Sequence, residues 1–91
     1  MSIILTFTHA GFTTALYDDA IKKLEAAGAG APKGRTFHAS FGDPENLSIT
    51  DVWDSVEDFQ AFGATLLPIL SAMGIDPGMP VVSPVHNVIF G

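Results

Sequence analysis

Residues 48–62 read SITDVWDSVEDFQAF, and they hold a change of period. Up to Trp53 the chain alternates as a strand does, with Ile49, Asp51 and Trp53 on one face and Ser48, Thr50 and Val52 on the other. From Phe59 onward the apolar residues fall at helical spacing, with Phe59, Phe62 and Leu66 in one stripe. Asp54 or Ser55 can cap that helix, and Ser55 with Asp58 is close to a capping box. A strand therefore passes into a helix at Trp53.

Outward from this joint the same two periods recur. Residues 47–53 and 35–42 (RTFHASFG) alternate on either side of Asp43-Pro44-Glu45-Asn46, which is turn chemistry, so the two form a hairpin. One register sets Phe41 opposite Leu47, Ala39 opposite Ile49 and His38 opposite Thr50, which keeps apolar with apolar and polar with polar. Residues 2–9 alternate as a first strand, with Ile3, Leu5, Phe7 and His9 sharing a face. Residues 13–30 are helical, capped by Thr13 or Thr14 and ended by Gly28 and Gly30. Leu16, Ala20, Leu24 and Ala27 make their stripe, with Tyr17 and Ile21 beside it. After the second helix, Pro68 is expected to kink or restart the chain, which makes residues 67–76 a short separate helix. Residues 81–91 read as a last strand, placed at an edge or a bulge by Pro84. The order β-α-β-β-α-β is the ferredoxin-like α+β pattern in one domain spanning residues 1–91.

Composition narrows the functions open to such a domain. Of 91 residues, 47% are hydrophobic and 15% charged, which is apolar for a small lone domain and favours self-association. Four cations against a net charge of −6 cannot neutralise a run of phosphates, so neither nucleic acid nor an anionic membrane is an expected partner. There is no cysteine, no apolar run of membrane-spanning length and no basic start typical of a signal peptide; a cytoplasmic location is the expectation. No metalloprotease, nucleophile-elbow or phosphate-loop motif is present, and "GAGAPKG" follows a helix where a phosphate loop would open one. His9, His38 and His86 lie on different strands and His9 and His38 are read on opposite faces, so no metal site is expected.

The stretch DVWDSVEDFQAF (51–62) after a hairpin, the βαββαβ order and the closing PVHNVIFG (84–91) resemble the dimeric α/β-barrel proteins, in particular the small antibiotic-biosynthesis-monooxygenase-like group. The resemblance spans nearly the whole chain. It implies an antiparallel four-stranded sheet with both helices on one face, and a homodimer closed into a barrel through the other faces. On this reading Ile3, Leu5, Phe7, Phe37, Phe41, Leu47, Ile49 and Trp53 are covered by helices. Thr6, Thr8, Thr36, His38, Ser40, Ser48, Thr50 and Val52 then face the partner, which makes His38, Thr50 and His86 the interface candidates.

The resemblance also implies a ligand held between sheet and helices, with Trp53 as a pocket wall and Phe37, Phe59, Phe62 and Leu66 around it. In the haem-degrading branch a histidine on the second helix ligates haem, beside an asparagine near the end of the first strand. Here the corresponding helix turn, AFGATL (61–66), has no histidine, and Thr8-His9 stand in place of the asparagine, so haem is not expected and no cofactor is assigned. The cofactor-free branch oxidises phenols and related barrels cyclise polyketides. Either chemistry needs a positioned base and an oxyanion partner. The function implied is a cofactor-free monooxygenase acting on a small apolar or aromatic molecule; a non-catalytic binding protein and a cyclase are the alternatives.

Two residues are candidates for acid–base work. Asp51 is a carboxylate on an apolar face, either buried and basic or solvated at the sheet's rim. His9 ends the first strand. The first and third strands are read as parallel, which sets His9 beside Asp51 and Trp53 as a base with its orienting partner; the alternative is an exposed strand-end histidine.

Overall fold

The computed structural model describes all residues, Met1–Gly91. Six elements follow in the expected order: β1 (Ile3–Thr8), α1 (Thr14–Ala26), β2 (Arg35–Asp43), β3 (Asn46–Trp53), α2 (Val56–Ala72) and β4 (Val81–Pro84). The sheet order is β2-β3-β1-β4 and every neighbouring pair is antiparallel. This is the ferredoxin-like arrangement.

The helices are set by their caps. Thr13 accepts from the Leu16 N–H at 3.2 Å and Ser55 from the Asp58 N–H at 3.1 Å. Glu57 and Asp58 sit in the first turn of α2, where the helix dipole favours negative charge. Gly28 follows the α1 cap with φ +77°, a conformation that costs glycine little. Both helices cover one face of the sheet. Ile3, Leu5 and Trp53 beneath them pack with Leu24 of α1 and Phe62 of α2, and Trp53 is wholly buried.

Three expectations about the elements are corrected. Pro68 does not divide the second helix, because α2 runs unbroken from Val56 to Ala72. Proline removes the bond to the Ala64 carbonyl, but Ala64 and Pro68 are both exposed, so water can satisfy that oxygen. The last strand stops at Pro84 instead of running to Gly91. Proline has no N–H to continue the ladder, and after a single bond from the Val85 N–H to the Ser2 carbonyl the chain leaves the sheet.

The third correction concerns the hairpin register, and it decides the site. Asp43 pairs with Asn46, Gly42 with Leu47, Phe41 with Ser48 and His38 with Asp51. From Phe37 to Asp43, β2 is shifted by one residue from the expected pairing, so each of these side chains takes the other face. Turn chemistry is the cause. The Asp43 carboxylate accepts from the Glu45 N–H at 2.9 Å and from the Asn46 side-chain amide at 3.1 Å, closing the turn on two residues. Both bonds favour the ionised form and hold the Asp43 pKa below its ordinary value. Phe37 and Phe41 consequently lie on the face without helices, 43% and 48% exposed, while His38 turns inward. A bulge between Arg35 and Phe37 shifts the register again and pairs Arg35 with Trp53, on the helix-covered face.

Gly63 stands in the middle of α2 with nothing within 4 Å of where a Cβ would lie, and its φ is not positive. Neither packing nor backbone conformation requires glycine there. Gly63→Ala is expected to stabilise the fold by about 1 kcal/mol in urea unfolding; a loss of stability would show that the space is not free.

Candidate functional site

The register correction brings together residues that the sequence reading kept apart. On the helix-covered face, Leu5, Asp51 and His38 form one cross-strand row, next to the row Ile3, Trp53 and Arg35. Asp51 is 5% exposed, the one charged residue in the core. Its carboxylate takes the Nδ1 of His38 at 2.5 Å and a long bond from the Trp53 indole N–H at 3.4 Å. The other ring nitrogen of His38, Nε2, meets the Tyr17 hydroxyl at 2.6 Å. The Tyr17 and His38 rings lie nearly parallel, 8° apart with centroids at 5.9 Å.

This chain of bonds fixes the tautomer. An ionised carboxylate only accepts, so Nδ1 carries the proton toward Asp51. In the neutral ring Nε2 then keeps the lone pair, and the Tyr17 O–H donates to it. Asp51 orients the imidazole and would stabilise the imidazolium that forms if Nε2 took a proton. Removing either member leaves the other's polar atom unsatisfied at a cost of roughly 1–3 kcal/mol, so the pair also holds β2 to β3.

Tyr17, His38 and Asp51 line a cavity of about 80 Å³ between the sheet and both helices. Its other walls are mostly apolar, among them Phe7, Ile49, Phe59, Phe62, Leu66 and Leu70. An aromatic run borders it: Phe7 stacks on His9, His9 meets Phe12 edge-on, and Phe12 meets Tyr17. Arg35 lines the cavity too, with its guanidinium 5.9 Å from the Phe62 ring centroid and bonded to the Gly30 carbonyl at 3.1 Å. No carboxylate pairs with it.

His9 and Asp51 both line this cavity, but not as neighbours. Strands β1 and β3 are antiparallel, so His9 bonds through its backbone N–H to Leu47, at the far end of β3 from Trp53. The partner of Asp51 is His38, which was expected at the dimer interface. Trp53 lies behind Asp51 in the core and is not among the residues lining the cavity; its rings pack on Phe59 and Phe62. Phe37 is on the opposite face. Phe59, Phe62 and Leu66 line the cavity. Thr50 is on the outer face, where its hydroxyl bonds that of Thr6 at 3.1 Å, and His86 is exposed beyond the end of β4.

Tyr17 and Arg35 went unread as site residues. Tyr17 had a signal: it stands three, four and seven positions before Ala20, Ile21 and Leu24, a polar aromatic in an apolar stripe. Arg35 had one too: it alternates with Phe37 and Phe41, and the expected register already sets it opposite Trp53; the bulge keeps it there while the rest of β2 shifts. No three His, Asp or Glu side chains cluster as metal ligands, and no helix is long and apolar enough to cross a membrane.

No family model matches the chain, and no curated protein does. Solved structures do. A protein assigned to the antibiotic biosynthesis monooxygenases, from Chloroflexus aurantiacus J-10-fl, is 20% identical over 100% of both chains, with a TM-score of 0.64. SnoaB, described as a cofactor-independent oxygenase from Streptomyces nogalater, is 16% identical, with 97% of this chain and 94% of that one covered and a TM-score of 0.63. A third, assigned to the same monooxygenases and from Deinococcus radiodurans, is 14% identical, with 99% and 97% covered and a TM-score of 0.61. Likeness at these identities shows a shared fold. The chain has the antibiotic-biosynthesis-monooxygenase-like fold that its sequence resembles.

Burial lowers the His9 pKa from its ordinary 6.5, against a smaller opposing pull from the carbonyl and carboxylate of Asp76. A histidine harder to protonate when folded lets the unfolded chain bind the proton more readily, so stability is lost as pH falls below about 6.5. His9→Gln is expected to flatten that part of the pH–stability curve, measured as the urea midpoint between about pH 7.5 and 5.5. An unchanged slope would mean that His9 titrates as freely in the folded chain as in the unfolded one.

Proposed function

We propose that this chain is a cofactor-free oxygenase acting on a small apolar, aromatic molecule with an acidic hydroxyl or enol. The observation that carries the reading is the Asp51–His38–Tyr17 chain aimed into an apolar cavity. Tyr17 passes its proton to Nε2 of His38 as its oxygen takes the ligand's proton, and Asp51 stabilises the imidazolium. Arg35, unpaired at the cavity wall, balances the negative charge on the ligand oxygen. The resulting anion is the reductant. It gives an electron to dioxygen and the radical pair combines at carbon. The peroxide then breaks down so that a CH₂ becomes a carbonyl, with one oxygen kept and the other leaving as water. The neighbour described as a cofactor-independent oxygenase supports this direction.

The occupant of the outer sheet face is, on this reading, a second copy of the chain. Ile4, Val52 and Phe37 form an apolar cross-strand row there, and the hydroxyls of Thr6 and Thr50, and of Thr8 and Ser48, pair beside it. Only 12 of 91 residues are buried in the single chain, a thin core that association would extend. Phe37→Ser with Phe41→Ser is expected to convert dimer to monomer in light scattering; a wild-type monomer would contradict the reading.

One observation favours a second reading: the Tyr17 hydroxyl already occupies Nε2. If it does not relay, the chain binds its ligand without turnover. Oxygen uptake with hydroxylated naphthalenes and anthrones separates the two. The enzyme reading expects one O₂ per carbonyl product, and His38→Gln to slow uptake roughly 100- to 10,000-fold. Binding with no uptake supports the second reading, and product formed without oxygen points to a cyclase.

A further inference from the structure

The cavity at His38 is too small for the ligand that its chemistry calls for. Its volume is about 80 Å³, whereas a cavity that admits benzene measures about 150 Å³. Only the reacting edge of an aromatic ring fits beside Tyr17. The rest of the molecule must lie elsewhere, and a groove adjoins the cavity. This groove, of about 580 Å³, shares Phe7, Phe59, Leu66 and Pro77 with the cavity and extends between α2 and residues 77–80.

Gly63 lies in this groove, one turn after Phe59. A glycine in mid-helix weakens the helix, and neither a positive φ nor a close neighbour explains this one. Its missing side chain leaves the groove clear. We propose that the groove is a second subsite, holding the body of an extended apolar ligand (a fused polycycle or an acyl-extended aromatic) whose hydroxylated edge enters the cavity, and that Gly63 determines how long that ligand can be. The inference rests on the reading above that the cavity is where the ligand reacts.

The experiment titrates 2-naphthol and 2-hydroxyanthracene, by their own fluorescence, into the wild type, Gly63→Ala, Gly63→Leu and His38→Gln, with folding checked by circular dichroism. Leucine is a good helix former, so Gly63→Leu is expected to fold. The wild type should bind the three-ring probe roughly tenfold more tightly than the two-ring one, from the added apolar area. Gly63→Leu should erase that advantage and leave 2-naphthol within about twofold, with Gly63→Ala between. Equal loss for both probes, or none for either, overturns the groove. If His38→Gln changes neither affinity while Gly63→Leu acts only on the longer probe, the groove stands and the reacting site lies elsewhere. If neither probe binds the wild type, both readings fall.

Discussion

The two-residue turn at Pro44-Glu45 is the constraint on which the site depends. Asp43 closes it with two hydrogen bonds, to the Glu45 N–H and the Asn46 amide, and the register of the whole hairpin follows. One more residue in the turn would send His38 to the outer face and Phe37 inward. The site would lose its imidazole and Asp51 would keep only the long bond from the Trp53 indole. A local turn preference thus outweighs the burial of two phenylalanines.

The buried carboxylate then works in two directions. Asp51 is tolerable inside an apolar core because His38 and the Trp53 indole satisfy it. In return it fixes the orientation of the imidazole, so that Nε2 points at Tyr17. Fold and site are coupled here: the pair that ties β2 to β3 is also the pair with acid–base capacity. The bulge beside Arg35 adds a cation to the same wall by the same means, a change of face made in the backbone.

Much of this was legible in the sequence. The period change at Trp53 gave the β3–α2 joint, and alternation in β1 and β3 assigned their faces correctly, Asp51 included. Where the reading failed, several interactions competed. Matching apolar with apolar across the hairpin put Phe37 and Phe41 inside, because a single chain's pattern cannot show that an outer face is apolar as well. Antiparallel β1 and β3 separated His9 from Asp51, which a correct strand direction would have foreseen. Trp53 was read as a possible wall, yet its size and central position made it core. Tyr17 was visible as a stripe residue, but its partner was not, since His38 had been assigned to the wrong side.

The central claim is that His38 is held between Asp51 and Tyr17 with its lone pair on Nε2. Long-range ¹H–¹⁵N correlation of the histidine ring nitrogens near neutral pH tests it directly. The account predicts that His38 shows the Nδ1-protonated tautomer, with a slowly exchanging Nδ1–H that is lost in Asp51→Asn. A ring averaging between tautomers, or one protonated at Nε2 and indifferent to Asp51, would contradict it.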